Sequence, residues 1–559
     1  MAFEDVLVDV GGYGLFQKTL LTAIVILGTW HMTLGYYGHL FSLLTPATQW
    51  CFVNGSSVDS FNKSSLHRGA CQFISHATSV GGNASVFVDR ESTCPSGWMY
   101  DENDILLTTT MEKNWLCGNS DKLYTVHTVH WIGSITGFLV SGFLADRFGR
   151  RKTISGLIIM TIVANLGGLI FTNHVPFAVF RFFSGAGTYT TCTSCFILVM
   201  EYTISSRRTL VAFLWGTSWT VMATLYPWYA SWIGTWRGLF ISTAMADALL
   251  LLTFWWAPES SSWLISRGQK KEAVKLLQWI AKFNGKDISE EQIEKTFEQR
   301  DDSEFHVESE VAEELRGFWS STLALVETPR IRKNTLLVLP IWCLITMSIY
   351  VGSLQLGRMG LHVYSVYSIT SAFELPVNIF CVVALDRLGR RWPNVAFIFI
   401  GGLICVIMAI VQTDSQLWTI VMATLYMACF SGGFNITYQV ASELFPTGIR
   451  GRAVLLQRMM SELGSVLGTQ VAATVEWNQY LPLLVSGILA MLASVLVMFL
   501  PETVGLPLPQ TIADGENLGK DRPFCFCPCI RLRKDTNSDK DRHCSQTSRE
   551  RTMTLERRM

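Results

Sequence analysis

The sequence of 559 residues is poor in charge, with only 16% Asp, Glu, Lys or Arg, against about 25% in an average soluble protein. Its 44 basic residues balance 44 acidic ones, so there is no basic field for nucleic acid. It lacks a Gly-rich loop ending in Gly-Lys-Ser/Thr, which argues against ATP as an energy source. No nucleophile–base or metal-ligand spacing is evident outside the apolar stretches. An enzyme, a cofactor and a bound metal are therefore not expected.

Apolar residues are abundant: 49% of the chain is hydrophobic and mean hydropathy is +0.30. Charges concentrate at about 45–120, 258–335 and 510–559, and runs of about 20 apolar residues fill the rest, long enough to cross a layer of about 30 Å. These runs do not alternate in polarity, as barrel strands would. The sequence predicts an all-α membrane protein with twelve spans in two groups of six. The predicted spans are 19–44, 122–143, 153–172, 177–200, 209–232, 237–257, 334–357, 363–385, 394–412, 416–442, 453–474 and 480–500.

Basic clusters all fall on the side that twelve spans assign to both termini. The tendency of Lys and Arg to stay inside predicts that this side is cytoplasmic. No basic stretch precedes an apolar core in the first 17 residues, so no cleavable signal is expected. The predicted regions are a cytoplasmic N-terminus (1–18), a first bundle (19–257), a cytoplasmic helical linker (258–333), a second bundle (334–502) and a cytoplasmic tail (503–559).

The segment 45–120 is predicted to lie outside the cell. Four cysteines there suit two disulfides with three possible pairings. Three Asn-x-Ser acceptor sites predict glycosylation of a protein at the plasma membrane. The residues concerned are Cys51, Cys71, Cys94, Cys117, Asn54, Asn62 and Asn83.

Three short signals repeat at nearly one offset. The segment Asp146–Arg151 recurs as Asp386–Arg391, 240 residues later. An acidic residue followed by arginine seven positions on recurs at an offset of 242, and Pro-Glu-Ser/Thr at 243. Parallel repeats of six helices are the architecture of major facilitator transporters, which is the fold predicted here.

The repeated acidic and basic residues lie at the predicted cytoplasmic ends of helices. A guanidinium matches a carboxylate bidentately and stays charged, so these groups are predicted to hold the ends of the two bundles together in one state and release them in another. The alternative is that the arginines only fix topology. The candidate gating residues are Asp146, Arg147, Arg151, Glu201, Arg208, Glu259, Asp386, Arg387, Arg391, Glu443, Arg450 and Glu502.

The chain resembles the polyspecific organic ion transporters, solute carrier family 22, which contains organic cation, organic anion and carnitine carriers. The resemblance covers about residues 1–519, and one departure is visible: Ser261 and Ser262 stand where relatives have proline and arginine. The motifs that carry it are Gly142–Lys152, Cys94–Asp101, Asn114–Cys117, Arg181–Gly185, Thr328–Lys333, Leu500–Thr503, Leu508–Thr511 and Glu516–Gly519.

Glu374 lies inside the eighth predicted span, followed by Pro376. An ionisable residue at this depth is costly and is read as functional by default, and the proline frees a backbone carbonyl beside it. We predict a substrate-binding carboxylate. A buried, hydrogen-bonded group that shapes the helix is the alternative.

The resemblance implies three further substrate-binding residues. Glu462 stands where cation carriers have aspartate, and Arg458, one helical turn before it, could neutralise it. Tyr350 matches a pocket tyrosine whose aromatic face attracts amines. Tyr189 and Cys192 replace the lysine and tryptophan of the cation carriers, which implies a remodelled pocket.

Other intramembrane residues favour an ordinary structural interpretation. His127 and His130 could sense protons, but neutral, hydrogen-bonded histidines are the simpler interpretation, and Trp219 is expected to pack in the core.

These features predict a polyspecific organic cation transporter that works by alternating access, driven by the membrane potential. A carrier of carnitine-like zwitterions or organic anions is the first alternative, since Arg458 could neutralise Glu462. A transport-silent receptor or scaffold is the second. The expected partners are a small organic cation or zwitterion and membrane lipid, and no nucleic acid.

Overall fold

A computed structural model describes residues 2–46, 49–53, 71–75, 86–87, 98–100, 105–171, 173–293, 323–358, 362–411, 415–506, 508–520 and 522. The first half contains α1 (Ala2–Asp9), α2 (Leu15–Ser42), α3 (Thr109–Glu112), α4 (Ser120–Phe148), α5 (Arg150–Gly167), α6 (His174–Glu201), α7 (Ser205–Ile233), α8 (Trp236–Trp256), α9 (Ser261–Ser266) and α10 (Lys270–Phe283). The second half contains α11 (Pro329–Leu356), α12 (Val363–Ala372), α13 (Glu374–Leu388), α14 (Arg391–Ile410), α15 (Gln416–Leu444), α16 (Thr447–Ala473), α17 (Leu481–Met498) and α18 (Ile512–Asn517).

Each predicted span overlaps a long helix of these described ranges, with α12 and α13 sharing the eighth span. Eight of the long helical segments are apolar enough to cross a membrane. The long segments alternate in direction. We call the end that carries α3 and the strands between α2 and α3 the loop end, and the opposite end, with the arginine clusters, the basic end.

The segment between α2 and α3 contributes a small four-stranded sheet. Its strands are β1 (Gln49–Val53), β2 (Cys71–Ser75), β3 (Val86–Phe87) and β4 (Met99–Tyr100), in the order β3-β2-β1-β4. Strands β1 and β2 run parallel, with Cys51 opposite Phe73. This sheet places Cys51 and Cys71 on adjacent strands.

The start of the first span differs from the prediction because the linker caps it. The Phe16 amide donates to Oδ1 of Asn284, which follows α10, at 2.8 Å. Asn284 also donates to the Val10 carbonyl at 3.1 Å, and a Cβ on Gly14 would lie 2.4 Å from its side chain. Helix α2 therefore begins at Leu15 rather than near 19, because a partner about 270 residues away satisfies its first amides.

The eighth span is interrupted at Phe373. Pro376 has no N–H to donate to the Ala372 carbonyl, so the α-helical ladder is broken between α12 and α13. Glu374 is the first residue of α13, placed beside this interruption at about the middle of the span.

A buried contact between a histidine and an aspartate joins three helices of the first half. His31 Nδ1 in α2 lies 2.5 Å from Asp247 Oδ1 in α8, and both side chains are fully buried. His31 Nε2 lies 3.1 Å from the Thr188 carbonyl in α6. The intramembrane carboxyl group of Asp247 is thereby paired, which gives it a structural role in α2–α6–α8 packing.

Candidate functional site

The two halves meet at the loop end. All hydrogen bonds that described residues of one half make to those of the other lie at mid-depth or closer to the loop end. The Arg358 guanidinium donates to Tyr124 Oη at 2.9 Å, and Gln470 donates to Thr128 at 2.8 Å. Further contacts join Ser120 to Glu476, the Leu106 amide to Tyr364, Tyr37 to Ser371 and Asn378 to Thr220. The structure therefore has a sealed loop end.

At the basic end, acidic and basic groups pair within each half. Arg150 contacts Asp146 at 2.9 Å and Glu201 at 3.4 Å. The repeat reproduces this set: Arg390 contacts Asp386 at 2.8 Å and Glu443 at 3.5 Å. In each case the arginine at the start of one helix ties together the ends of two other helices of the same bundle.

Glu259 and Glu502 receive backbone amides rather than arginine side chains. Glu259 accepts from the amides of Arg150 and Arg151 at the start of α5. Glu502 accepts from Arg390 and Arg391 at the start of α14. A carboxylate at a helix N-terminus satisfies free N–H groups and complements the helix dipole. Each is a helix cap in this state.

Five of the remaining candidate gating arginines also contact their own half. Arg208 donates to the Thr203 carbonyl and Arg450 to that of Phe445. Among the described contacts, neither forms an ion pair with the acidic residue seven positions before it, Glu201 or Glu443. Arg151 donates to the Phe254 carbonyl, and Arg147 lies over the Phe148 ring. Arg391 donates to the Leu500 carbonyl. Arg387 also has an interaction partner. A latch between the bundles in another state stays a prediction.

The C-terminal strap, α18, docks on the second half at the basic end. Glu516 accepts from the amides of Arg330 and Ile331 at 3.0 and 3.4 Å. Burial alone would raise the pKa of Glu516, but the Thr328 hydroxyl and the two amides that face its carboxylate hold that pKa below its usual range. The strap thereby caps the start of α11.

An aromatic cluster lies between the halves at mid-depth. The Trp131 ring of α4 is 5.1 Å from Tyr189 of α6 and 4.9 Å from Tyr350 of α11. Tyr36 of α2 is 6.3 Å from Trp131 and 5.9 Å from Trp219 of α7. These five rings form what we call the aromatic chamber. The structure thus brings the predicted residues Tyr189 and Tyr350 together.

Glu462 borders this chamber from α16. Its side chain is buried and acts electrostatically on Tyr36 and Tyr189. The Ser134 hydroxyl faces it but lies outside hydrogen-bonding geometry. Among the described side chains, no basic group lies within 4.0 Å of its carboxylate. The Glu462 carboxyl group therefore makes no ion pair with a described side chain.

Arg458 occupies a different position from the one that would neutralise Glu462. Its guanidinium lies 5.1 Å from the Tyr438 ring centroid and 5.9 Å from that of Trp342. Cation–π contacts of this kind satisfy a guanidinium without a carboxylate. Arg458 and Glu462 on α16 therefore form no direct ion pair, although the guanidinium acts electrostatically on the Glu462 carboxyl group.

Glu374 lies on the other flank of Tyr36. It is half-buried and acts electrostatically on Tyr36 and Tyr37. Its carboxylate makes no ion pair within the described ranges. Both predicted carboxylates thus act on one phenol, that of Tyr36.

Sequence reasoning missed Tyr36 and Trp131 and gave Trp219 a packing role. Their only signal in the sequence is aromatic character inside a span, which core residues share. Their convergence depends on close helix contacts: a Cβ on Gly137 of α4 would lie 2.2 Å from the Ala186 carbonyl of α6. Only the folded bundle distinguishes these rings from the others.

The rim at the loop end contains a lysine among aromatic rings. Lys113 Nζ lies 4.4 Å from the Phe177 ring centroid and donates to the Phe171 carbonyl at 2.6 Å. Burial lowers the pKa of Lys113 to about 8. The neighbouring Glu112 pairs with Arg237. Burial raises the pKa of Glu112, but hydrogen bonds from Arg237 and Trp236 lower it to a net value below its usual range.

The predicted modification sites lie mostly outside the described residues. Asn54, Asn62, Asn83 and Cys94 fall in the undescribed stretches between the strands. Cys117 is disulfide-bonded, and the pairing of the four cysteines stays a prediction. Within the described ranges, no group of three His, Cys, Asp or Glu side chains is arranged to hold a metal ion.

Comparisons with known proteins agree with this architecture. The family model described as sugar (and other) transporter matches residues 87–512. Solute carrier family 22 member 3 of Rattus norvegicus is 30% identical over 437 residues, covering 77% of this chain and 75% of that protein. Solute carrier family 22 member 13 of Homo sapiens is 27% identical over 530 residues, covering 92% and 93%. Solute carrier family 22 member 6-A of Xenopus laevis is 28% identical over 425 residues, covering 76% and 75%.

Solved structures show the same fold. The xylose transporter XylE from E. coli, in a partially occluded inward open conformation, matches with a TM-score of 0.56 at 16% identity, covering 88% of this chain and all of that one. A second structure, described as a major facilitator superfamily proton:xylose symporter bound to a bromodeoxyglucose, also gives 0.56, covering 90% and 98%. The predicted major facilitator fold is confirmed.

Proposed function

Because the chain belongs to solute carrier family 22, we propose that this membrane transporter moves small organic cations across the plasma membrane by alternating access. The names of its relatives give a member number and no substrate. The substrate class therefore has to be argued from the chamber itself. An enzyme activity is not part of the proposal.

One observation carries the choice of a cation. Glu374 and Glu462 both act on Tyr36, and neither is ion-paired to a described side chain. The rings between them present π faces, which attract an ammonium group by about 0.5–2 kcal/mol each. A chamber that combines aromatic faces with carboxyl groups that make no ion pair is suited to a desolvated positive charge.

The proposed orientation places the basic end in the cytoplasm and residues 45–120 outside the cell. With the loop end sealed, the chamber would then communicate with the cytoplasm. Opening would break the contacts of Arg358 with Tyr124 and of Gln470 with Thr128, and the basic ends would close in turn. The pairs within each half at the basic end, such as Arg150 with Glu201, would move as rigid units.

The proposed driving force is the membrane potential. Moving one positive charge inward is worth about 2.3 kcal/mol per 100 mV. No proton or sodium ion is needed for net accumulation of a cation.

Uptake of a labelled tetraalkylammonium ion tests the proposal. Glu462→Gln keeps the side-chain shape and removes the charge, so we expect the KM to rise about 30-fold, the equivalent of about 2 kcal/mol for an ion pair at moderate dielectric. Glu272→Gln is the matched control, since Glu272 is exposed on α10. Uptake by Glu462→Gln equal to that of the parent would contradict a cation site at this carboxylate.

Arg458 favours one second candidate, a zwitterionic substrate. Its guanidinium lies over aromatic rings and makes no ion pair with a described carboxylate, although Glu462 is one turn away. It could therefore receive a substrate carboxylate. Uptake of a labelled betaine that is lost in Arg458→Gln, without loss of tetraalkylammonium uptake, would support this candidate. Absence of flux with amines, betaines and carboxylates alike would instead favour a receptor or scaffold.

A further inference from the structure

Three histidines form a compact cluster next to the aromatic chamber. The rings of His39 in α2 and His130 in α4 stack with centroids 3.8 Å apart and an angle of 13°. His127 Nδ1, one turn before His130, lies 3.0 Å from His39 Nε2. All three side chains are at most 2% exposed. We call this set the histidine cluster.

The hydrogen bonds of the cluster leave ring nitrogens available. His130 Nδ1 lies 3.0 Å from the Arg181 carbonyl, so it must carry the hydrogen and donate it. His130 Nε2 and His39 Nδ1 are buried without a hydrogen-bond partner. A buried polar atom without a partner is costly and calls for an explanation. An acceptor nitrogen that receives a proton in another state of the carrier supplies one.

The cluster also spans the contact between the two halves. Tyr350 of α11, a chamber residue, places its hydroxyl 2.8 Å from His127 Nδ1. A small cavity on the loop-end side is lined by His127 together with Tyr124, Gln355 and Arg358. The cluster therefore lies between the chamber and the sealed loop end.

The charged and titratable groups that contact the cluster or act on it electrostatically come from α4, α6 and α11. Helix α4 contributes Tyr124, α6 contributes Arg181 and Tyr189, and α11 contributes Tyr350 and Arg358. None of these is a carboxylate, and both ionised neighbours are guanidinium groups. The sealed state therefore places like charges around any imidazolium.

Opening of the loop end changes this environment. The histidines belong to α2 and α4, whereas Arg358 and Tyr350 belong to α11 of the other half. When the halves separate, the Arg358 guanidinium moves away and water reaches the rings. The parallel stacking of His39 and His130 at 3.8 Å opposes a second positive charge, so one proton is accommodated.

From this geometry we infer that the histidine cluster is a proton-binding site that takes up one proton when the loop end is open and releases it when the loop end closes. A ligand that binds one state shifts the conformational equilibrium toward it. For one proton the shift is up to about tenfold per pH unit. Acid on the loop-end side therefore holds the carrier open at that end.

Labelling of a single introduced cysteine tests this inference without requiring transport. Ala472 is buried in the seal and its carbonyl faces Tyr124, so Ala472→Cys should react with a membrane-impermeant maleimide only when the loop end opens. The parent protein, without this substitution, gives the background labelling of the native cysteines. We expect the fraction of carriers labelled at Ala472→Cys, after correction for thiolate content, to rise several-fold when the pH on the loop-end side is lowered from 8 to 6.

Two variants in the Ala472→Cys background assign the effect. His39→Gln should abolish the rise, because it removes one of the stacked imidazoles. His362→Gln, an exposed histidine at the loop end that bonds Ser365, should keep it. A reactivity that does not depend on pH in the parent, or a rise in His39→Gln equal to that of His362→Gln, would overturn the inference. If His39→Gln fails to reach the membrane, His127→Gln replaces it. A rise that is present in the parent and reduced in His127→Gln supports the inference, and an equal rise in both overturns it.

Discussion

Removal of the charge on Glu502 should destabilise the second half of the transporter. Glu502 is buried and distributes its bonds over both oxygens: Oε1 accepts from Arg390 and Val504 at 2.9 and 3.1 Å, and Oε2 accepts from Arg391 at 3.0 Å. A glutamine offers one acceptor oxygen, and its NH₂ group must face an amide donor. Glu502→Gln therefore loses at least one bond to an anion.

The corresponding residue of the first half, Glu259, supplies a matched comparison. All three backbone amides that it receives, from Arg150, Arg151 and Ser260, donate to the same oxygen, Oε1. Glu259→Gln can keep these bonds and turn its NH₂ group away. Hydrogen bonds to charged groups contribute about 1.5–3 kcal/mol, so we expect about 2 kcal/mol of destabilisation for Glu502→Gln and less than half of that for Glu259→Gln.

Thermal unfolding of the purified carrier in detergent, followed by tryptophan fluorescence, measures the difference. About 2 kcal/mol corresponds to a Tm lower by about 4–8 °C for a unit of this size. An equal or larger loss in Glu259→Gln would refute the distribution of bonds described above. An unchanged Tm in Glu502→Gln, together with altered cysteine accessibility at the basic end, would favour a latch between the bundles over a helix cap.

Three further outcomes follow from single contacts. Arg358→Leu removes the donor to Tyr124 and should raise maleimide labelling of Ala472→Cys at pH 8. The labelling should also depend less on pH. Unchanged labelling would contradict a role of Arg358 in sealing the loop end. An impermeant succinimidyl ester should acylate Lys113 at a rate that rises with pH and levels off above about 8, because burial lowers the pKa of Lys113 to about 8. Mass spectrometry measures this rate. A rise that continues to pH 10 would contradict this pKa. Glu516→Ala should speed tryptic cleavage after Lys520, since the strap loses its bonds to the start of α11. An unchanged rate would show that other contacts hold the strap.

Much of the fold follows from periodicity and repeats. Runs of about 20 apolar residues indicate the spans, and the 240-residue offset of Asp146–Arg151 indicates the two halves. The exact start of α2 does not follow, because Asn284 caps it from the linker. Similarly, the sequence places Arg150 and Glu201 at one end of the bundle, but their pairing within one half requires the packed helices.

The candidate site was predictable where an unusual residue type marks it. Glu374 stands out because a carboxylate is rare inside a span, and Glu462 follows from the family resemblance. Tyr36 and Trp131 carry no such mark, since aromatic residues are common in spans. The separation of Arg458 from Glu462 was not predictable either, because residues four apart on a helix are close enough to pair; the rings of Tyr438 and Trp342 decide it.

Accumulation of a permanent monovalent cation at clamped membrane potentials tests the central proposal most directly. Cells or vesicles expressing the parent chain would be held at a series of potentials, and the inside-to-outside ratio of a labelled tetraalkylammonium ion would be measured at steady state. A carrier of one positive charge predicts a tenfold change in that ratio for about every 59 mV, from about 2.3 kcal/mol per 100 mV. A ratio that stays near one at every potential, in cells that still take up a labelled betaine or carboxylate, would contradict cation transport.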